Sequence, residues 1–79
     1  MSTLTKANSS AVGVRVTADA LQLTLADGRE VSAPLFWFPR LLAATETERQ
    51  HWRLIGAGEG VHWPAIDEDV SVASLLRLD

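Results

Sequence analysis

Seventy-nine residues with no cysteine, and seven basic side chains against ten acidic ones for a formal charge of −3, describe one small domain. Without cysteine there is no disulfide, thiolate metal site or cysteine nucleophile, and the composition fits a cytoplasmic protein. No apolar run approaches the roughly 20 residues of a membrane span, and Lys6, Arg15, Arg29, Arg40, Arg49, Arg53 and Arg77 are scattered, so the basic footprint of a direct nucleic-acid binder is absent.

Residues 1–10 are polar, with one lysine and no apolar run; they read as a flexible N-terminal arm, leaving 11–79 as a single domain. Val12, Val14 and Val16 alternate with Gly13, Arg15 and Thr17, and Leu21, Leu23 and Leu25 alternate with Gln22 and Thr24. That period of two predicts two half-buried strands joined by a short connection over residues 17–20, with Val16 opposite Leu21 and Val14 opposite Leu23. The next turn holds Asp27-Gly28. A two-residue turn would put Glu30 opposite Leu25 and Ser32 opposite Leu23, mixing polar and apolar groups on one face. A three-residue loop with Gly28 in the left-handed region sets Leu25 opposite Arg29 and Leu23 opposite Val31, and the hydrophobic pattern selects it. The expectation is a three-stranded antiparallel meander over about residues 11–35, closed by Pro34.

Phe36-Trp37-Phe38 cannot all face one side of a strand, and Pro39 suits the first turn of a short helix carrying Arg40, Leu41, Leu42 and Ala43. Thr45-Glu46-Thr47-Glu48 matches the capping box that starts a second helical segment, running to about Trp52. Arg53-Leu54-Ile55 and Val61-His62-Trp63 read as brief strands linked through Gly56, Gly58 and Gly60, with Pro64 ending the second. Asp67 or Asp69 is expected to cap a last helix, on which Val72, Leu75 and Leu76 share one face. The acids before it would complement its dipole. The fold class is therefore α+β: an N-terminal three-stranded meander, one or two short central helices, short glycine-linked strands and a short C-terminal helix.

With these elements placed, the chain resembles a small bacterial family known as domain-of-unknown-function family 2442. The resemblance lies in Leu25-Ala26-Asp27-Gly28-Arg29, Pro34-Leu35, Trp37-Phe38-Pro39-Arg40-Leu41 and Ala44-Thr45 with Arg49. It continues in Trp52-Arg53-Leu54-Ile55-Gly56, in Gly58, and in Gly60-Val61-His62-Trp63-Pro64. Asp67-Glu68-Asp69-Val70-Ser71-Val72 and Leu75-Leu76 complete it, and the glycine-linked His-Trp-Pro…Asp-Glu-Asp run is its specific part. The resemblance implies an α+β domain with no established enzymatic activity and no catalytic residues to carry over. It also implies a frequent genetic neighbour, a second small protein, in an arrangement like that of toxin–antitoxin pairs.

No candidate site is chemically complete. The triple-glycine segment could cradle a phosphate, but neither a helix nor a Lys-Ser/Thr pair follows it, so a tight connection between strands is preferred. His62 with Asp67, Asp69 and His51 could offer nitrogen and oxygen ligands, yet the spacing of a zinc site is missing, and neither metal nor cofactor is expected. Ser71, His62 and Asp67 form the sole conceivable nucleophile set; Ser71 lies in no nucleophile elbow and reads as a helix cap. Glu46 and Glu48 point apart on a helix.

Trp37, Trp52 and Trp63 are either all core or include one or two interface anchors. Trp37 is the preferred exposed anchor, because Phe36 and Phe38 compete for the core. The leading expectation is a non-enzymatic protein-binding module, antitoxin-like towards a neighbouring toxin-like protein. Trp37, Arg40, Arg49, Arg53, His62, Trp63, Asp67, Glu68 and Asp69 would form its surface. The alternatives are an acidic inhibitor that masks a nucleic-acid-binding protein, and a metal- or ligand-binding enzyme subunit using His62 with Asp67 and Asp69. Homodimerisation through an edge strand is a further option.

Overall fold

Alternation of leucines with polar residues builds the first sheet. A computed structural model of the chain describes residues 9–77, so residues 1–8 of the expected N-terminal arm lie outside the described residues. β1 (Ala11–Val16), β2 (Ala20–Leu25) and β3 (Glu30–Pro34) form an antiparallel meander in the order β1-β2-β3. The register is the expected one: Val16 faces Leu21, Val14 and Val31 both face Leu23, and Ala33 faces Leu21. Leu21, Leu23, Leu25 and Ala33 are buried on the resulting face.

Both connections follow from local chemistry. Thr17 Oγ1 accepts the amides of Asp19 and Ala20 at 3.2 and 2.9 Å, closing the first turn. In the second, Leu25 N–H donates to Arg29 C=O at 2.8 Å across a loop of Ala26, Asp27 and Gly28. Gly28 has φ +95°, the left-handed region that the bulged loop requires. Asp27 accepts from the Arg29 amide at 3.0 Å and pairs with its Nε at 2.9 Å.

One position departs from the alternation. β1 carries a bulge, Ala11 facing Leu25 while Gly13 faces Thr24. The extra residue, Val12, is turned to solvent at 56% exposure, and Ala11 takes the core position instead.

After β3 the aromatic run turns away in a single 3-10 turn, Leu35–Trp37. α1 (Pro39–Ala43) starts at Pro39, and α2 (Glu46–Gln50) starts with a complete capping box, Thr45 Oγ1 accepting from Glu48 N–H and Glu48 Oε1 from Thr45 N–H. The extended Ala44 separates the two helices, and α2 ends at Gln50 with His51 as its C-cap, two residues short of the expected Trp52.

The second sheet has the order β4-β5-β6, from β4 (Arg53–Ile55), β5 (Gly60–Trp63) and β6 (Glu68–Ser71). β6 corrects the sequence reading. Instead of capping the last helix, Asp67 sits in the left-handed region (φ 52°) after a 3-10 turn at Pro64–Ile66, and Glu68 and Asp69 pair with β5. The reversal at Asp67 sends the chain back along β5, and backbone pairing outweighs the dipole role expected of the acids. α3 (Val72–Arg77) follows directly, Ser71 Oγ accepting from Ser74 N–H at 3.3 Å, with Val72 and Leu75 buried and Leu76 packed against the core.

Trp63 holds the two halves together. It is 0% exposed within a cluster containing Leu21, Leu23, Leu25, Leu41, Val61 and Val70. Its indole N–H donates to Arg49 C=O at 3.0 Å, at the end of α2. At the other end of the core, Ala11 N–H donates to Gly58 C=O at 2.7 Å, tying β1 to the β4–β5 turn. Gly58 has φ +93°, and a Cβ there would lie 2.6 Å from Ala11 O, so glycine answers both to conformation and to close approach.

Candidate functional site

Two surfaces gather the chemistry, and they arise from different elements. The first comes from the turn that ends the meander. Because Leu35 is drawn into the core, the residues after it in the 3-10 turn project outward: Phe36 is 69% exposed and Trp37 45%. Leu42 of α1 is exposed to a similar degree, whereas Leu41 is fully buried. The expected anchor Trp37 is thus at the surface. Phe36, expected to compete for the core, is the more exposed of the pair, and Phe38 is the aromatic that packs inward.

The second surface is the outer face of β4-β5-β6. Strand pairing sets Arg53 opposite His62 and His62 opposite Asp69, forming one cross-strand row. The next row on that face is Ile55, Gly60 and Ser71. On the inner face Leu54, Val61 and Val70 stand in line; Val61 and Val70 are buried and Leu54 is exposed at the edge. Asp69 is hydrogen-bonded to Nδ1 of His62 and orients the imidazole. Arg53, Leu54, Ile55, Gly56, His62 and Asp69 line an open concavity of about 400 Å³.

The remaining residues expected at the surface separate by role. Arg49 is half-buried and structural: its Nε donates to Leu41 C=O and an Nη to Leu42 C=O, both at 3.0 Å, satisfying carbonyls at the end of α1. Arg40 donates to the Asp67 carbonyl at 2.5 Å and fastens α1 to the turn before β6. Trp63 is enclosed and offers no contact area, so it supports the surface from beneath. A pattern that places His62 at a surface and puts Trp63 next to it in a strand also sends the two side chains to opposite faces.

The acidic run is divided in the same way. Asp67 is exposed in its turn, Glu68 lies half-buried opposite Trp63, and Asp69 is on the outer face with His62. The three carboxylates therefore present no common acidic face. Among the described residues, no group of three His, Cys, Asp or Glu side chains comes together to hold a metal ion, and His62 meets one carboxylate, that of Asp69. Gly56 and Gly58 lie in the connection between β4 and β5 and Gly60 opens β5, with Ile55 C=O accepting from the Gly58 and Glu59 amides at 3.1 and 3.0 Å. Sequence reasoning missed Phe36, Leu42, Leu54 and Ile55 as surface residues; for Leu42 the doublet Leu41-Leu42 was the available signal, since both members cannot face the core from one helical turn.

Among the described residues no helix is long and apolar enough to cross a membrane. No curated protein matches the chain. The fold is similar to that in a crystal structure of a protein of unknown function from Rhodospirillum rubrum ATCC 11170. That chain is 23% identical, with a TM-score of 0.73 over 86% of this chain and 84% of the other, a likeness of fold alone. The family model described as Protein of unknown function (DUF2442) matches residues 11–79, which takes in both sheets, the aromatic turn and the glycine-linked strands. With that match spanning the whole described domain, the chain belongs to the DUF2442 family.

Proposed function

We propose that this protein is a non-enzymatic protein-binding module whose principal anchor is the apolar surface of Phe36, Trp37 and Leu42. The observation that carries this reading is the exposure of Phe36 and Trp37, at 69% and 45%, beside a core that encloses Trp63 completely. A chain of 79 residues has few large apolar groups with which to complete its core. Leaving two adjacent aromatics in water is costly unless a partner covers them, and aromatic side chains in the centre of an interface carry much of its binding free energy. Among the described residues no ligand set for a metal comes together, and Ser71 Oγ is engaged by the Ser74 amide as a helix cap, which favours binding over catalysis. The antitoxin-like role suggested by the family resemblance is a special case, in which the partner is the small protein encoded next to it. The division of the acidic run between two faces favours this apolar mode over an acidic mask.

The test is calorimetry between this protein and the product of the adjoining gene. A stable complex is expected. Trp37→Ala is expected to weaken it by about 30-fold, the loss of one interface hot spot of roughly 2 kcal/mol. Absence of a complex, or an affinity unchanged by Trp37→Ala together with Phe36→Ser, overturns the reading.

A further inference from the structure

Among the described residues β4 has β5 on one side and no strand on the other, and all three of its residues are exposed. Such an edge is a template for a further strand. What distinguishes this edge is the row that ends on it. Asp69, His62 and Arg53 stand directly opposite one another across the outer face. Asp69 holds the imidazole through Nδ1. Among the described residues the guanidinium of Arg53 has no hydrogen-bond or ion-pair partner, so the row runs from acid through imidazole to an unanswered cation. Directly opposed side chains of opposite charge stabilise neighbouring strands, and like charges destabilise them.

We infer that β4 receives an extended segment of a partner protein that places a carboxylate side chain beside Arg53. The inference rests on the protein-binding reading and adds a second contact with stated chemistry. An antiparallel strand beside β4 would set successive residues opposite Ile55, Leu54 and Arg53. The residue opposite Leu54 continues the inner row of Leu54, Val61 and Val70 and is apolar; the residue opposite Ile55 meets an aliphatic neighbour. The residue opposite Arg53 is acidic, where the planar guanidinium can take a carboxylate through two hydrogen bonds. From N- to C-terminus the segment reads apolar, apolar, acidic. A second copy of this chain does not fit, because β4 consists of Arg53, Leu54 and Ile55 and has no carboxylate to offer. Antiparallel pairing of β4 with a second β4 would set Arg53 opposite an isoleucine and leave the cation unanswered.

The experiment is a titration of the ¹⁵N-labelled full chain with acetyl-Thr-Val-Val-Asp-Thr-amide, followed by the amide and imidazole resonances. Saturable shifts are expected at Arg53, Leu54, Ile55 and the His62 ring. The peptide carrying Asn in place of Asp should bind at least about fivefold more weakly, and Arg53→Gln should remove that preference while leaving the rest of the spectrum unchanged. The inference is overturned if β4 does not respond, if the Asp and Asn peptides bind alike, or if Arg53→Gln keeps the preference. It is also overturned if Arg53→Gln self-associates while neither peptide binds, which would make Arg53 a guard against edge pairing. Trp37→Ala should leave the titration unaltered, so failure here and failure of the apolar anchor are separable.

Discussion

The two three-stranded sheets share an antiparallel plan and differ in how their strands are committed. In β1-β2-β3 the central strand contributes Leu21, Leu23 and Leu25 to the core, and its neighbours add Ala11 and Ala33. In β4-β5-β6 the buried residues come from β5 and β6, Val61, Trp63 and Val70, while β4 stays exposed along its length. The meander spans six-, six- and five-residue strands, the second sheet three, four and four. The first sheet is thus a platform whose residues are explained by burial and turn chemistry. The second rests on one tryptophan and leaves an edge and an outer face that burial does not explain. In so small a domain, that residue of unexplained surface is where binding chemistry has room to sit.

The comparison can be broken most severely at Trp63. Trp63→Ala removes the largest enclosed side chain and strands the Arg49 carbonyl, and should cost about 3–5 kcal/mol in urea denaturation. A loss below about 1 kcal/mol would mean that the second sheet does not depend on it. Two of the three positive-φ glycines among the described residues, Gly28 and Gly58, sharpen the contrast, because their surroundings differ. Gly28→Val meets nothing within 4 Å and should cost only the conformational strain, about 1–2 kcal/mol. Gly58→Val adds a contact at 2.6 Å with Ala11 O and should cost about 3 kcal/mol or more. Equal losses would refute the role of Gly58 as the point where β1 touches the second sheet. The smallest effect belongs to the outer face: Asp69→Asn should change stability by about 0.5 kcal/mol or less, since the His62 pair is partly solvated. A large loss there would make that row a structural element.

How much of this was legible in the chain follows the same division. Beyond the bulge at Val12 the meander was readable to the residue pair, because slipping its register by one residue would turn every leucine outward. The capping box and Pro39 located the central helices for similarly local reasons. Val12 escaped because a bulge shifts the phase of a strand without leaving a signal in the alternation. β6 escaped because three acids before a short apolar run resemble a helix start; the left-handed Asp67 that turns the chain into a strand is a tertiary consequence of pairing with β5. Of the site, Trp37 and the Arg53–His62–Asp69 residues were identifiable individually. Their arrangement was not, since which residues stand opposite one another depends on the glycine-linked turn and on β6. The structural duty of Arg49 was hidden for another reason, since its partners Leu41 and Leu42 lie on the preceding helix and are met only once the chain bends at Ala44.

The most direct measurement is solvent exchange of the three indole N–H protons in the ¹⁵N-labelled protein, alone and with the adjoining gene product. Trp63, enclosed and bonded to Arg49 C=O, should exchange slowly in both samples, while Trp37 should exchange freely alone and become protected in the complex. A Trp37 indole already protected in the isolated protein, or a Trp63 indole that exchanges freely while Trp37 ignores the partner, would contradict the account.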